Sequence, residues 1–479
     1  MRALRTRRTP GSTQLGVSHP DGPYSASFSL APGARSVDRV AAAPNLDHTS
    51  WGCILYVQVP RLQNRPEPSP LPNGFELTEL NPDFLQDPHP ILDRLRRDAP
   101  RHIHAHAHFP EAPTGLYLTR LADVRKIFAD TTLQRDPRST PPGSLARAFA
   151  PPAMLDPAPH GNLLYMDGAE HRRVRGLVSR AFTPKSIAAK RSDIEAIAAH
   201  LLEAAAAKPD FDAISEFAAP FPIYVIGDML GFPRSDMPQF RAWSEDLIFV
   251  FNPLRSPDED RRQMAAFAGL DAYFAEQMAH RRRQPSGDLL SAIIHTRGEG
   301  GDTLEDAEIS SLLLLLLLAG NLTTADVIGN GLHALITHPQ EWAALVADPE
   351  LAVPATEELL RFGPPVAIAA RYVPEDREIF GCPIRQGAAV VVSLLGANRD
   401  PEAFEDPHAF RIRRGRRDHA AFGGGAHACL GAPLARLEIE IALRLLATRY
   451  PRMRLAAPAI RDRPTIGFVG FRTLRLSLT

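Results

Sequence analysis

AFGGGAHACLGAPLARLEIEIALRLL (residues 421–446) runs a glycine-rich loop into a single cysteine, Cys429, and then directly into a proline-led apolar segment. Pro433 suits a first helical turn, where its missing N–H costs nothing. Leu434, Leu437, Ile441 and Leu445 recur at helical intervals and give that helix a face to bury. Free amides and the helix dipole at such a start favour negative charge, which predicts a lowered pKa for the Cys429 thiol. Gly423, Gly424, Gly425 and Gly431 let the backbone turn tightly or approach something flat.

The rest of the chain bounds what that loop can be for. With 479 residues it can build a sizeable core. Its 54 basic and 55 acidic residues nearly cancel, so no bulk field argues for nucleic acid or a membrane surface. Almost every basic residue is arginine; Lys126, Lys185, Lys190 and Lys208 are the lysines. Cys53, Cys382 and Cys429 are too few and scattered for a disulfide framework, which suits a reducing, intracellular setting. The apolar run LLLLLLLAG (312–320) is shorter than the roughly 18 residues of a membrane span and reads as a buried helix. MRALRTRRTP lacks the apolar stretch of a secretory signal.

Residues 1–75 are rich in Pro, Ser, Gly and Arg with few periodic apolar positions, so a mostly disordered extension is expected there, with a transit peptide as the alternative for its Arg-rich, acid-poor start. One ordered domain is expected over 76–479. HIHAHAHF and GLYLTR alternate around PEAPT and read as a hairpin. His102, His104, His106 and His108 would share one face of it, read as a partly exposed strand because no carboxylate or cysteine lies near to complete a metal site. Residues 166–361 read as mostly helical, with short strands returning in YVPEDREIFGCPIRQGAAVVVSLLGAN. The fold class is mainly α with a small β portion.

Four uses of Cys429 remain open on these grounds. A nucleophile would take His427 as its base, and zinc would need ligands this chain does not gather nearby. A haem iron needs one thiolate, and a buried thiol can be inert packing. The residue order Phe422-Gly423-Gly424-Gly425-Ala426-His427-Ala428-Cys429-Leu430-Gly431 resembles the cysteine-ligand loop of the cytochrome P-450 family, F-G-x-G-x-H-x-C-x-G. Further segments resemble the family in the right order over residues 76–479.

The resemblance implies the cytochrome P-450 fold, haem b as cofactor, and Cys429 as the iron's axial ligand. It implies a structural ion pair in EELLRFGPPV, Glu358 with Arg361; the family's usual arginine partner is replaced by Ala409, leaving His408 or Arg411 as substitutes. His171 and Arg175 of MDGAEHRRVRGLVSRAF, with Arg371 and His427, match positions that hold haem propionates, and Phe422 and Gly423 match the loop beside the haem. Ala319-Gly320-Asn321-Leu322-Thr323-Thr324 matches the oxygen-side segment, making Gly320, Thr323 and Thr324 candidate catalytic residues. The usual acid is Leu322 here, with Asp326 and Asn321 as possible stand-ins. A helical threonine also bonds readily to its own backbone.

Substrate would be lined by 135–162, 247–251, Leu316, Ala319, Val366, Ala367, Ile368, Phe468 and Val469, which favours a mostly apolar small molecule. Arg411, Arg413, Arg414, Arg416 and Arg417 would offer an acidic ferredoxin a docking face. The expected activity is a cytoplasmic monooxygenase fed by a separate ferredoxin and ferredoxin reductase, without a transmembrane anchor. A peroxide-driven oxygenase or a non-oxidative haem-thiolate catalyst would tolerate Leu322; a haem-based sensor or carrier is the non-enzymatic alternative.

Overall fold

The leucine run lies within a helix of 32 residues, Asp306–Thr337, called the central helix below. A reciprocal cap starts it: Glu305 accepts from the Glu308 amide, and the Glu308 carboxylate accepts from the Glu305 amide at 2.9 Å. Two donors that a helix start leaves over are thereby satisfied. Leu312, Leu313, Leu317, Val327, Ile328, Leu332 and Leu335 are buried. The helix is apolar nearly all round because protein surrounds it. By length and composition it could cross a membrane, but more than half of its most apolar window is buried inside the protein. Helices Pro220–Met229, Met237–Leu247, Pro257–Arg283 and Ala432–Arg449 pack against it. The last of these, the cysteine helix, follows Cys429 directly.

This computed structural model describes residues 84, 86–104, 112–149, 162–206, 208, 211–251, 256–297, 301, 303–461 and 467–478, and three short strands near the N-terminus. The chain divides into two units, Met1–Ser50 and Trp51–Thr479. In the first, Arg8–Thr9, Ser12–Leu15 and Phe28–Ser29 form an antiparallel sheet. The rest of the expected extension, and the boundary expected near residue 75, lie outside the described residues.

The β portion of the larger unit centres on a four-stranded sheet: Arg101–His104, Gly115–Leu118, Ala389–Ser393 and Ile368–Tyr372, in that spatial order. The first pair is the expected antiparallel hairpin, its 105–111 connection lying outside the described residues. Gly115–Leu118 then runs parallel to Ala389–Ser393, which pairs antiparallel with Ile368–Tyr372 and sets Arg371 opposite Val390. The first strand is half exposed, but its histidines face inward. His102 and His104 are buried with rings stacked 6.3 Å apart, while Ile103 faces solvent. His106 and His108 fall outside the described residues.

Glu358 and Arg361 form a fully buried pair on helix Ala352–Phe362. Arg361 donates Nε and Nη2 to the two Glu358 oxygens at 2.7 Å each, and its remaining donors reach the Asn398, Pro407 and Ala409 carbonyls at 2.9, 2.8 and 3.1 Å. The third partner is neither expected substitute. Arg414 places Nε 3.3 Å from Glu358; Arg411 gives only its amide, at 2.9 Å, and sends its side chain to Asp406. His408 binds Asp93 at 3.0 Å instead. A carbonyl suffices at Ala409 because the arginine arrives from five residues further along.

The neighbouring Glu357 anchors the segment before the cysteine loop. Its carboxylate meets His419 at 3.1 Å and Arg436 at 2.7 Å. Burial alone would raise this carboxyl; the hydrogen bonds from His419 and Arg436 outweigh it and bring it down to about 2 from 4.5. A depressed acid lends stability above its unfolded pKa and loses it as pH falls toward the folded one. The stability gap between wild type and Glu357→Gln should therefore be constant above pH 4.5 and shrink below it. Urea midpoints measured across that range would show it; a gap independent of pH would refute the assignment.

Candidate functional site

The loop before the cysteine helix folds back on itself. The Cys429 amide donates to the Phe422 carbonyl at 2.9 Å and the Ala428 amide to Gly425 at 3.1 Å. Gly423 and Gly425 have φ of 66° and 64°, the left-handed region that favours glycine. At Gly425 a side chain is excluded outright: a Cβ would lie 1.9 Å from the Phe128 carbonyl oxygen. Phe128 ends helix Leu121–Ala129, so that helix clamps the loop. On the other side, the Arg436 guanidinium covers the Phe422 ring at 4.5 Å.

The Cys429 side chain is accessible to solvent and yet surrounded by protein, the pattern of a recess rather than an outer surface. Its sulfur accepts from the Gly431 and Ala432 amides at the helix start. The expectation of an acidified thiol does not hold, however. Burial pushes the Cys429 thiol up, and the two amides with Arg175 and Arg436 only partly oppose it.

Four residues assigned from sequence to one role come together beside this loop. The His171 and His427 rings lie 4.3 Å apart, and Arg175 donates to the Ala428 carbonyl at 2.6 Å. Arg371 is buried, with its guanidinium 5.3 Å from the Phe128 ring and, among the described residues, a bond only to the adjacent Ala370 carbonyl, at 3.0 Å. Burial, with His427 and Arg175 adding to it, drives His171 down to about 4; burial and Arg135 bring Arg371 down to about 10. Cationic groups are thus gathered where their charge is disfavoured. Among the described residues, His171 Nε2 is buried without a hydrogen-bond partner. A flat group bearing two carboxylates would supply the acceptors this cluster lacks.

Three residues of this region escaped sequence reading. Asp167 accepts from the Arg135 and Asp136 amides at 2.6 and 2.8 Å and from His427 at 3.2 Å. It stands at the N-cap of helix Gly168–Ser179 without capping it, so its position gave a signal for a cap and not for this role. Phe128 carried no motif, and Arg135 was expected only as the first residue of the 135–162 lining segment.

On the central helix, Ala319 and Gly320 are exposed in mid-helix although Leu317 and Leu322 beside them are buried. A Cβ on Gly320 would meet nothing within 4 Å. Thr323 Oγ1 donates to the Ala319 carbonyl at 2.6 Å, the backbone bond open to any helical threonine. Thr324 is buried and faces Glu438 of the cysteine helix. Val366 bridges Phe468, and the Val469 amide bonds the Pro365 carbonyl at 2.8 Å, which joins two of the expected lining segments. Residues 150–161 of a third lie outside the described residues. Of the five expected docking arginines, Arg414 is withdrawn into the Glu358 pair; Arg411, Arg413, Arg416 and Arg417 are exposed.

The cytochrome P450 family model, written P-450 here, matches residues 146–451, which include the cation cluster, the central helix and Cys429. The chain belongs to the cytochrome P-450 family. It is similar to the cytochrome P-450 monooxygenase PikC of Streptomyces venezuelae, 37% identical over 388 residues, covering 80% of this chain and 89% of the relative. It is 37% identical over 374 residues to the vitamin D(3) 25-hydroxylase of Pseudonocardia autotrophica, covering 78% and 90%. Among solved structures, myxobacterial cytochrome P-450 CYP267B1 in complex with myristic acid superposes with a TM-score of 0.75 at 33% identity, covering 83% of this chain and 98% of that one. The chain is thus a cytochrome P-450 monooxygenase of bacterial type with the P-450 fold, and the family's cofactor is haem. The cation cluster and the recessed cysteine fit that group.

Proposed function

We propose that Cys429 ligates the iron of haem b, and that the enzyme inserts one oxygen atom of dioxygen into a mostly apolar small molecule. The observation that carries this is the buried cationic cluster, with His171 Nε2 unpartnered among the described residues, beside a sulfur held by two backbone amides. Bound there, haem would supply the oxygen activation that no side chain can perform. His171, Arg175, Arg371 and His427 would hold its propionates, and Phe422 and Gly423 would pack beside it. The Gly431 and Ala432 amides would steady negative charge on the sulfur. Gly320 leaves room at the central helix, and Thr323 can exchange its Ala319 bond for one to a group in that opening.

Electrons would come from a separate ferredoxin and ferredoxin reductase, with the exposed Arg413, Arg416 and Arg417 meeting acidic partner groups in the cytoplasm. Support for an apolar substrate comes from the aliphatic character of the lining segments and from relatives named for vitamin D(3) and bound to myristic acid. A second reading, peroxide-driven oxygenation, is favoured by Leu322, a buried apolar residue where the family usually carries an acid. Incubation with apolar candidate substrates, reduced ferredoxin and isotope-labelled dioxygen tests both. Label in the product, dependent on ferredoxin, is expected. Turnover with peroxide alone would establish the second reading.

A further inference from the structure

Asp167 divides one carboxylate between two regions of the chain. Its Oδ2 accepts from the Arg135 and Asp136 amides, at 2.6 and 2.8 Å, where the expected lining segment begins. Its Oδ1 accepts from His427 Nε2 at 3.2 Å, on the loop that leads to Cys429. An aspartate just before a helix ordinarily accepts from an amide of the first turn, a bond worth about 1 kcal/mol. Asp167 makes no such bond to helix Gly168–Ser179. Gly168, the next residue, has a φ of 60°, so the helix starts on a left-handed turn instead of an ordinary cap. A Cβ on Gly168 would meet nothing within 4 Å, so backbone conformation and not space calls for the glycine. The helix forgoes its cap, and the carboxylate acts across the fold.

Burial would raise the Asp167 carboxyl, but the His427 bond and the two amides outweigh it and hold it below the ordinary aspartate range. An ionised carboxylate only accepts, so the ring donates from Nε2 and is gripped on that side. The backbone of His427 is fixed separately: it ends the single turn Gly425–His427, whose first residue packs against the Phe128 carbonyl. With Nε2 engaged, Nδ1 is the ring nitrogen left for a ligand. Among the described residues, no other member of the cluster has a carboxylate partner. Arg175 and Arg371 bond backbone carbonyls, and His171 Nε2 bonds nothing.

We infer that Asp167 aims the His427 ring at a haem propionate and ties that ring to the start of the lining segment. Asp167 touches no reacting atom and acts through His427, so it is a positioning residue. The inference rests on the haem reading above.

The test uses the full-length, haem-loaded protein. Asp167→Asn keeps an oxygen for the two amides but turns an NH2 toward His427, so the aim is lost while the lining segment stays anchored. Asp167→Ser supplies an ordinary helix cap and is too short to reach His427. Both should move the propionate-bending band of the resonance Raman spectrum. Both should speed haem transfer to excess apomyoglobin about tenfold, the low end for a hydrogen bond to a charged group. The carbon-monoxide spectrum of the reduced protein should stay that of wild type. In a His427→Phe background the same substitutions should change haem transfer less than about twofold, because the ring they act through is gone. A capping role predicts instead that Asp167→Ser behaves like wild type. That result, an unmoved band with unchanged haem transfer, or an equal effect with and without His427 overturns the inference. If Asp167→Asn fails to fold or to load haem, Asp167→Ser decides, since serine caps helices well. Wild-type protein that binds no haem would instead bring down the haem reading, a failure visible before any variant is made.

Discussion

Cys429→Ala is expected to yield a folded protein with no oxygenase turnover. Reduced and exposed to carbon monoxide, it should lack the absorption of a thiolate-bound haem. The contacts that shape the loop outlast the sulfur: the Cys429 amide bond to Phe422, the left-handed glycines, the Gly425–Phe128 contact and the Arg175 bond to the Ala428 carbonyl all remain. Haem affinity should fall but not vanish, because the cluster of His171, Arg175, Arg371 and His427, proposed to hold the propionates, is untouched. Chemistry should be lost, because the thiolate is what pushes electron density toward oxygen–oxygen cleavage. A variant that retained both the thiolate absorption and turnover would place the ligand elsewhere.

Arg361→Met should be the most damaging substitution away from the loop. Arg361 uses five donors on two carboxylate oxygens and three backbone carbonyls. Removing it strips a buried carboxylate of its main partner at a cost of about 3–5 kcal/mol, the range for breaking a buried pair. The three carbonyls left unsatisfied add to that. Arg414 and the Arg411 amide still reach Glu358, so the expected outcome is a marginal fold that loses haem on mild heating rather than complete unfolding. Arg361→Lys should rescue little, since three rotatable donors cannot fill a planar five-donor socket. Urea denaturation and haem retention would measure both variants; wild-type stability in Arg361→Lys would contradict the geometry.

What could be read from the chain followed from spacing. Leucines at helical intervals gave the central and cysteine helices, and glycines ahead of Cys429 gave the loop. Three-residue spacing suggested that Glu358 and Arg361 meet. The third partner of that pair was not legible. Distance along the chain favours His408 or Arg411, but a turn from Arg411 to Arg414 carries Arg414 inward, and only the folded path shows that. Asp167 was hidden for the opposite reason: it occupies an ordinary N-cap position and spends its oxygens on Arg135, Asp136 and His427 instead. The thiol expectation failed because dipole and amides are visible in a sequence whereas burial is not.

The contact between Gly425 and the Phe128 carbonyl makes helix Leu121–Ala129 a gauge for the height of the sulfur. That helix follows directly from the strand Gly115–Leu118, so the four-stranded sheet calibrates where the Cys429 sulfur stands. Tuning of such a centre could therefore be engineered from the β side, by residues that shift Phe128 while leaving the cysteine loop's own sequence as it is.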